Sequence, residues 1–197
     1  MPKTYRINEI FYSLQGEGRN TGRAAIFVRF SGCNLVCPFC DTDFAAYREL
    51  SAADIVNEAL QLLYHIETNH DRMLCVLTGG EPTLQADEAL IECLHRSHFE
   101  VAMESNGTHE PPTNIDWHTV SPKERVTVTQ CNELKCLYDG HTPIPHWDIM
   151  ADYYYLQPLR TGIPRTDEAI TAACVAYVKA HPQWRLSLQT HQLAHFQ

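Results

Sequence analysis

The sequence has no long hydrophobic run. Its longest apolar stretches, Ala24 to Val28 and Met73 to Leu77, fall far short of the roughly 18 residues a membrane-spanning helix needs. Nor does Met1 to Ser13 hold a signal-peptide core, because Lys3, Arg6, Asn8 and Glu9 interrupt it. Positive charge is scarce: 15 Lys and Arg against 24 Asp and Glu give a formal net charge of −9 over 197 residues. A protein that grips nucleic acid through its phosphates carries the opposite balance, so that class is disfavoured, as is a membrane partner. A small anionic ligand is not excluded, since a few placed cations suffice. Internal repeats and low-complexity tracts are also missing, and the Pro-rich piece His141 to His146 is too short for a domain linker. Residues 1–197 therefore read as one domain. With 44% hydrophobic and 20% charged residues, the chain has material for a real core. Eight cysteines without an export signal are better explained by free or metal-bound thiols in a reducing cytoplasm than by a disulfide framework.

Periodicity gives an alternating order of elements. Tyr5 to Tyr12 reads as an edge strand or hairpin arm, followed by the turn Gln15-Gly16-Glu17-Gly18. Ala24 to Phe30 alternates strictly, with Ile26, Val28 and Phe30 on one face and Ala25, Phe27 and Arg29 on the other. Ser51 opens a helix with Asp54 as its capping-box partner, and Ile55, Val56, Ala59, Leu60, Leu63 and Ile66 form its stripe. Met73 to Leu77 is a strand. A helix from about Asp87 to Ser97 buries Ala89, Leu90, Cys93 and Leu94. Further strands are expected at Glu100 to Glu104, His118 to Val120, Glu133 to Cys136, Tyr153 to Leu156 and Arg185 to Gln189. A third helix over Asp167 to Ala180 buries Ile170, Ala173, Cys174, Tyr177 and Val178. This alternation predicts an α/β fold with a parallel sheet. Too few units are present for a closed eight-fold barrel, so an incomplete, open β/α barrel of about six strands fits. Binding sites in such sheets lie beyond the carboxyl ends of the strands, where the polar and Gly-rich motifs of this chain fall.

Three thiols stand together in Cys33-Asn34-Leu35-Val36-Cys37-Pro38-Phe39-Cys40. Three local sulfur ligands suit a [4Fe–4S] cluster with its fourth iron left open for chemistry. A structural zinc site of three Cys and one His competes with this reading. Such sites usually come from two ligand pairs, however, and no second pair follows, although Cys131 or Cys136 could supply a fourth ligand. Cys75, Cys93 and Cys174 read as core residues.

The C-x3-C-x2-C loop, with Phe39 before its last cysteine, resembles the cluster-binding loop of the radical S-adenosylmethionine (SAM) superfamily. Thr78-Gly79-Gly80-Glu81-Pro82 resembles that superfamily's second landmark. The match narrows through Phe11 to Gly18, Phe27-Val28-Arg29, Cys40-Asp41-Thr42, Glu104 to Thr108, Ser121-Pro122-Lys123, Leu156-Gln157-Pro158 and Leu188 to His191. Together these resemble the 7-carboxy-7-deazaguanine synthase family over most of the chain.

That resemblance implies a carbon–nitrogen lyase of partial-barrel fold, typically a cytoplasmic homodimer. It would contract 6-carboxy-5,6,7,8-tetrahydropterin with loss of ammonia, using SAM, a [4Fe–4S] cluster, Mg²⁺ and an electron donor such as flavodoxin or ferredoxin. By the same resemblance Cys33, Cys37 and Cys40 would hold the cluster and Thr42 the Mg²⁺. Phe39, Cys40 and Asp41 would line the adenine side of SAM. The backbone of Gly80 with Glu81 would receive its amino group, and Ser121, Pro122, Lys123 and Gln157 would contact the remainder. Leu14, Gln15, Gly16, Glu17, Arg29, Thr78 and Glu104 would bind substrate, with Arg29 as the partner of its carboxylate. An internal ion pair of Arg29 with Glu17 or Glu104 is the alternative for that residue. Gln189 and His191 are possible further contacts. The chain departs from the family at its end, where the usual Lys after Thr-His is Gln192. Other readings are another small radical-SAM enzyme, such as one activating a glycyl-radical partner, or a non-catalytic iron–sulfur or zinc scaffold.

Overall fold

The computed structural model describes residues 2–40, 43, 45–66 and 72–197. Among the described residues nine strands form one sheet: β1 (Thr4–Leu14), β2 (Ala24–Phe30), β3 (Arg48–Ser51), β4 (Met73–Gly79), β5 (Phe99–Ser105), β6 (Trp117–Val120), β7 (Gln130–Tyr138), β8 (Met150–Pro158) and β9 (Trp184–Leu186). Their order is β3-β1-β2-β4-β5-β6-β7-β8-β9. Every pairing from β2 through β9 is parallel, whereas β1 lies antiparallel to both β2 and β3. The expected open barrel is thus present with more strands than about six. The first strand is interior, not an edge, because the short β3 covers it.

Helices α1 (Ala52–Leu62), α2 (Glu88–Arg96) and α3 (Pro164–Ala180) pack on the outside, and α4 (Thr190–Ala194) is a short C-terminal turn of helix. Ser51 caps α1 through the reciprocal bonds expected with Asp54. The buried stripe is Ile55, Val56 and Ala59. Leu60 is exposed, a correction: at about 100° per residue it falls on the rim of the stripe, whereas Leu63, just past the helix, packs against the core. In α2 the buried residues are Leu90, Ile91 and Leu94, with Asp87 as N-cap. Ala89 faces solvent and Ile91 takes its place. In α3 the fully buried positions are Ile170 and Cys174.

Period-two alternation sorts the strands into two faces. Ile26, Val28, Phe30, Cys75, Leu77, Val101 and Met103 pack outward against α1 and α2. Ala25, Phe27, Leu74, Val76 and Ala102 fill the barrel interior, with Phe11 stacked on Phe27 at 4.9 Å. A bulge between Ile7 and Glu9 reverses the alternation of β1. Tyr5 and Ile7 before it, and Ile10 and Tyr12 after it, therefore join the same outer core, while Glu9 and Phe11 turn inward. A second outer core, including Val120, Leu134, Cys136, Leu156 and Cys174, lies under α3.

Beyond β9 the chain crosses the open side of the barrel. Thr190 donates its N–H (3.0 Å) and its hydroxyl (2.9 Å) to the carbonyl of Gly16, and Ser13 donates its hydroxyl to the carbonyl of Gln197 at 2.6 Å. A Cβ on Gly16 would meet His191 Nδ1 at 2.4 Å, so this docking depends on a bare backbone there. Among the described residues no disulfide joins any of the eight cysteines. Among the described residues no helix is long and apolar enough to cross a membrane.

Candidate active site

The inner apolar layer gives way, toward the carboxyl ends of the strands, to polar side chains around a cavity of about 640 Å³. That size suits a small-molecule site.

One wall is the cysteine loop. Its backbone is pinned to the end of β4: Gly80 donates its N–H to the Phe30 carbonyl and Glu81 donates to the Gly32 carbonyl, both at 2.9 Å. The approach is so close that a Cβ on Gly80 would lie 2.0 Å from the Gly32 oxygen, and one on Gly79, at φ +111°, would lie 2.4 Å from the Phe30 oxygen. The Gly-Gly pair is therefore a cradle for the cysteine loop. Asn34 fastens the same loop to the end of β5, accepting from Asn106 Nδ2 at 2.9 Å and donating to Thr108 Oγ1 at 2.8 Å.

Cys33, Cys37 and Cys40 all line the cavity. Burial pushes the Cys37 thiol up, Lys123 pulls it down, and the neighbouring thiols Cys33 and Cys40 push it up again. The Cys37 sulfur thus feels the other two. Among the described residues no three His, Cys, Asp or Glu side chains converge on a single ion. Three adjacent thiols on one rigidly backed loop, opening into a cavity, fit a cluster whose sulfurs are carried by different irons.

Arg29 lines the same cavity, paired across β2 and β4 with Thr78. Its Nε donates to Glu9 Oε1 at 2.7 Å. The ion pair is thus with neither Glu17 nor Glu104, and the inward turn of Glu9 is the bulge's doing. Deeper in the barrel, Lys135 on β7 is buried and pairs with Glu17 and, at 3.6 Å, with Glu104. Gln15 Nε2 donates to Glu104 at 2.9 Å, Glu17 N–H donates to Gln15 Oε1 at 3.1 Å, and Gln189 Nε2 donates to Glu17 at 3.0 Å. Burial raises the Glu17 carboxyl, but Lys135, Gln189 and His191 outweigh it and hold the group below the ordinary range. On the β6 side, burial and then Lys135 push Lys123 down to about 8, and its ammonium donates to the Ser121 carbonyl at 3.0 Å.

Most residues singled out from the sequence meet in this one cavity. Leu14 enters from the end of β1, Gln15, Gly16 and Glu17 from the loop after it, and Arg29, Thr78 and Glu104 from the strands. Phe39, Cys40 and Gly80 lie on the thiol side, and Ser121, Lys123 and Gln157 complete the rim. Asp41 and Thr42 lie outside the described residues.

Two residues do not reach it. Glu81 is fully buried, and its carboxylate accepts from Thr83 N–H at 3.1 Å and Asn106 N–H at 2.7 Å. It braces the turn, so only the neighbouring backbone faces a ligand. Pro122 is likewise buried, outside the cavity wall. Lys135 was not anticipated. Its signal is the alternation of Glu133, Lys135 and Leu137 against Leu134 and Cys136 along β7. Gln189 and His191 do line the cavity.

Comparison with known proteins agrees with this geometry. Residues 27–116, the strand–thiol loop–Gly-Gly core, match the model of the Radical SAM superfamily, and this is the class of enzyme that fold and site define. The 7-carboxy-7-deazaguanine synthase of Bacteroides thetaiotaomicron is 43% identical over 190 residues, covering 95% of this chain and 96% of the relative. That of Caulobacter vibrioides is 42% identical over 209 residues, covering 96% and 97%. A solved structure titled "Crystal structure of QueE from Escherichia coli" superimposes with a TM-score of 0.72 at 28% identity, covering 94% of each chain. The chain belongs to the 7-carboxy-7-deazaguanine synthase family.

Proposed function

We propose that the chain is the lyase that converts 6-carboxy-5,6,7,8-tetrahydropterin into 7-carboxy-7-deazaguanine with loss of ammonia, in queuosine-type biosynthesis. The observation that carries this reading is a single cavity with the three-thiol loop on one wall and Arg29, Glu17 and Glu104 on the others. When bound, the cluster and SAM supply one-electron, hydrogen-abstracting chemistry, which the protein's own acids and bases need not start.

The chain's own share is to hold and enclose. Cys33, Cys37 and Cys40 would ligate the cluster, and the Gly79-Gly80 backbone, Ser121 and Lys123 would seat SAM beside Phe39. Arg29 would receive the substrate carboxylate, exchanging its contact with Glu9 for a charge-assisted pair with the ligand. Thr78, its neighbour in register, would contact the same end of the substrate. Glu17 and Glu104 would accept from the ring N–H groups, while Gln15 and Gln189 orient them. The docking of α4 on Gly16 would help to cover that end of the barrel.

The proposal takes residues 1–197 as one radical-SAM domain working in the cytoplasm as a homodimer, with flavodoxin or ferredoxin as electron donor. It places Mg²⁺ at Thr42, and no step above depends on that ion. In the test, full-length protein reconstituted with iron and sulfide is incubated without oxygen with the pterin, SAM, Mg²⁺ and a strong reductant. The expected result is 7-carboxy-7-deazaguanine and ammonia in equal amounts. Cleavage of SAM with no deazaguanine formed would overturn it.

A further inference from the structure

Lys135 is a buried ionisable group to which no role has yet been given. It projects from β7 into the barrel on the same face as Glu133 and Leu137. Burial alone would discharge a lysine there, yet Glu104, Glu17 and Glu133 together hold its pKa above the ordinary lysine range. Three carboxylates thus surround one ammonium. The other charged or titratable groups facing this cluster are Lys123 from the loop after β6, itself pushed down by burial, His191 from α4, and Cys37 and Cys136 beside Lys123.

The hydrogen bonds leave this arrangement unfinished. Glu17 accepts from Lys135 and Gln189, and Glu104 accepts from Gln15 with Lys135 at 3.6 Å. An ionised carboxylate oxygen accepts twice, so both groups keep acceptor capacity on the side that lines the cavity. Both carboxylates face the one ammonium; without it their like charges would repel, and a proton taken up to relieve that repulsion would turn one acceptor into a donor. A ligand edge carrying adjacent N–H donors, as in an aminopyrimidinone ring, needs both acceptors. Its dioxo counterpart puts a carbonyl where the amino group would be and is repelled by them.

Resting on the function proposed above, we infer that Lys135 is a positioning residue that keeps Glu17 and Glu104 paired as acceptors for the N–H edge of the heterocycle, so that the site selects an aminopyrimidinone over a dioxopyrimidine ring. It acts through the two carboxylates and needs no contact with the reacting atoms.

The test uses the full-length reconstituted chain. In Lys135→Met the iron content and the spectrum with SAM should match the unaltered chain. KM for 6-carboxy-5,6,7,8-tetrahydropterin should rise about ten- to a hundred-fold near pH 7, the worth of one charged hydrogen bond, with kcat much less affected. Binding measured calorimetrically without reductant should lose most of its preference for 6-carboxypterin over 6-carboxylumazine. Glu17→Gln combined with Lys135→Met should cost no more than the larger single change, since both act on one pair of acceptors. If Lys135→Met loads too little iron, Lys135→Gln carries the same expectations. A KM and a ring preference unchanged, in a variant with full iron, would overturn the inference while leaving the function intact. An unaltered chain that neither binds nor converts the pterin would overturn the functional reading, and this one with it.

Discussion

The contact between Gly80 and the cysteine loop makes a quantitative test of how the fold presents its thiols. A methyl group in Gly80→Ala would sit 2.0 Å from the Gly32 oxygen and 2.5 Å from its carbonyl carbon, where ordinary contact begins at 3.4 Å. The loop would have to retreat by about 1.4 Å. Both hydrogen bonds that pin it, Gly80 to Phe30 and Glu81 to Gly32 at 2.9 Å, would stretch with it. Overpacking of this kind costs about 1–3 kcal/mol, and weakening two backbone bonds adds roughly 1 kcal/mol more. At about 2–4 °C per kcal/mol for a chain of this size, Tm of the cluster-free protein should fall by roughly 5–15 °C. Iron loading should fall as well, because the displaced stretch carries Cys33.

Gly22→Ala supplies the comparison. Its φ is +85° with no atom within 4 Å of the added Cβ, so it carries backbone strain without a clash. It should cost about 1 kcal/mol and leave iron loading alone. Differential scanning fluorimetry of both variants, with iron determined after anaerobic reconstitution, makes the measurement. A Gly80→Ala protein that melts with Gly22→Ala and holds a full complement of iron would refute the cradle.

Other expectations follow from the same geometry. Arg29→Ala should keep its iron and its SAM-dependent spectrum but lose turnover by a hundred-fold or so, the scale of a lost charge-assisted pair, and unchanged kinetics would remove its carboxylate role. Glu133 is pushed by burial up to about 6 from an ordinary 4.5, so the folded chain takes up this proton before the unfolded chain does. Its stabilising effect is complete below about pH 4.5 and is lost as pH rises through 6. Glu133→Gln, which can still accept from the Arg19 N–H, should therefore gain stability relative to the unaltered chain by about 2 kcal/mol between pH 4.5 and pH 7.5. Parallel denaturant titrations with a constant difference across that range would contradict this.

The elements legible in the sequence were those whose local pattern and tertiary role coincide. β2 alternates because one face meets the helices and the other the barrel interior, and Ser51 with Asp54 caps α1 by purely local bonds. What escaped the sequence depends on partners distant along the chain. The bulge in β1 reverses its faces, so Glu9, not Glu17 or Glu104, meets Arg29. A strand as short as β3 and a helix as short as α4 carry too little periodicity to be seen. At the site, the thiol loop and the Gly-Gly pair were readable because each is contiguous. The Lys135 cluster joins residues more than a hundred positions apart, and the buried state of Glu81 depends on the N–H of Asn106 from the loop after β5.

The central claim is that Cys33, Cys37 and Cys40 hold a cluster with one iron open to SAM. Its most direct test is the electron paramagnetic resonance spectrum of the anaerobically reduced, reconstituted protein with and without SAM. The account predicts a four-iron signal whose g-values shift when SAM is added and which is absent in Cys37→Ala. A spectrum that SAM leaves unchanged, or a signal that survives Cys37→Ala, would contradict it.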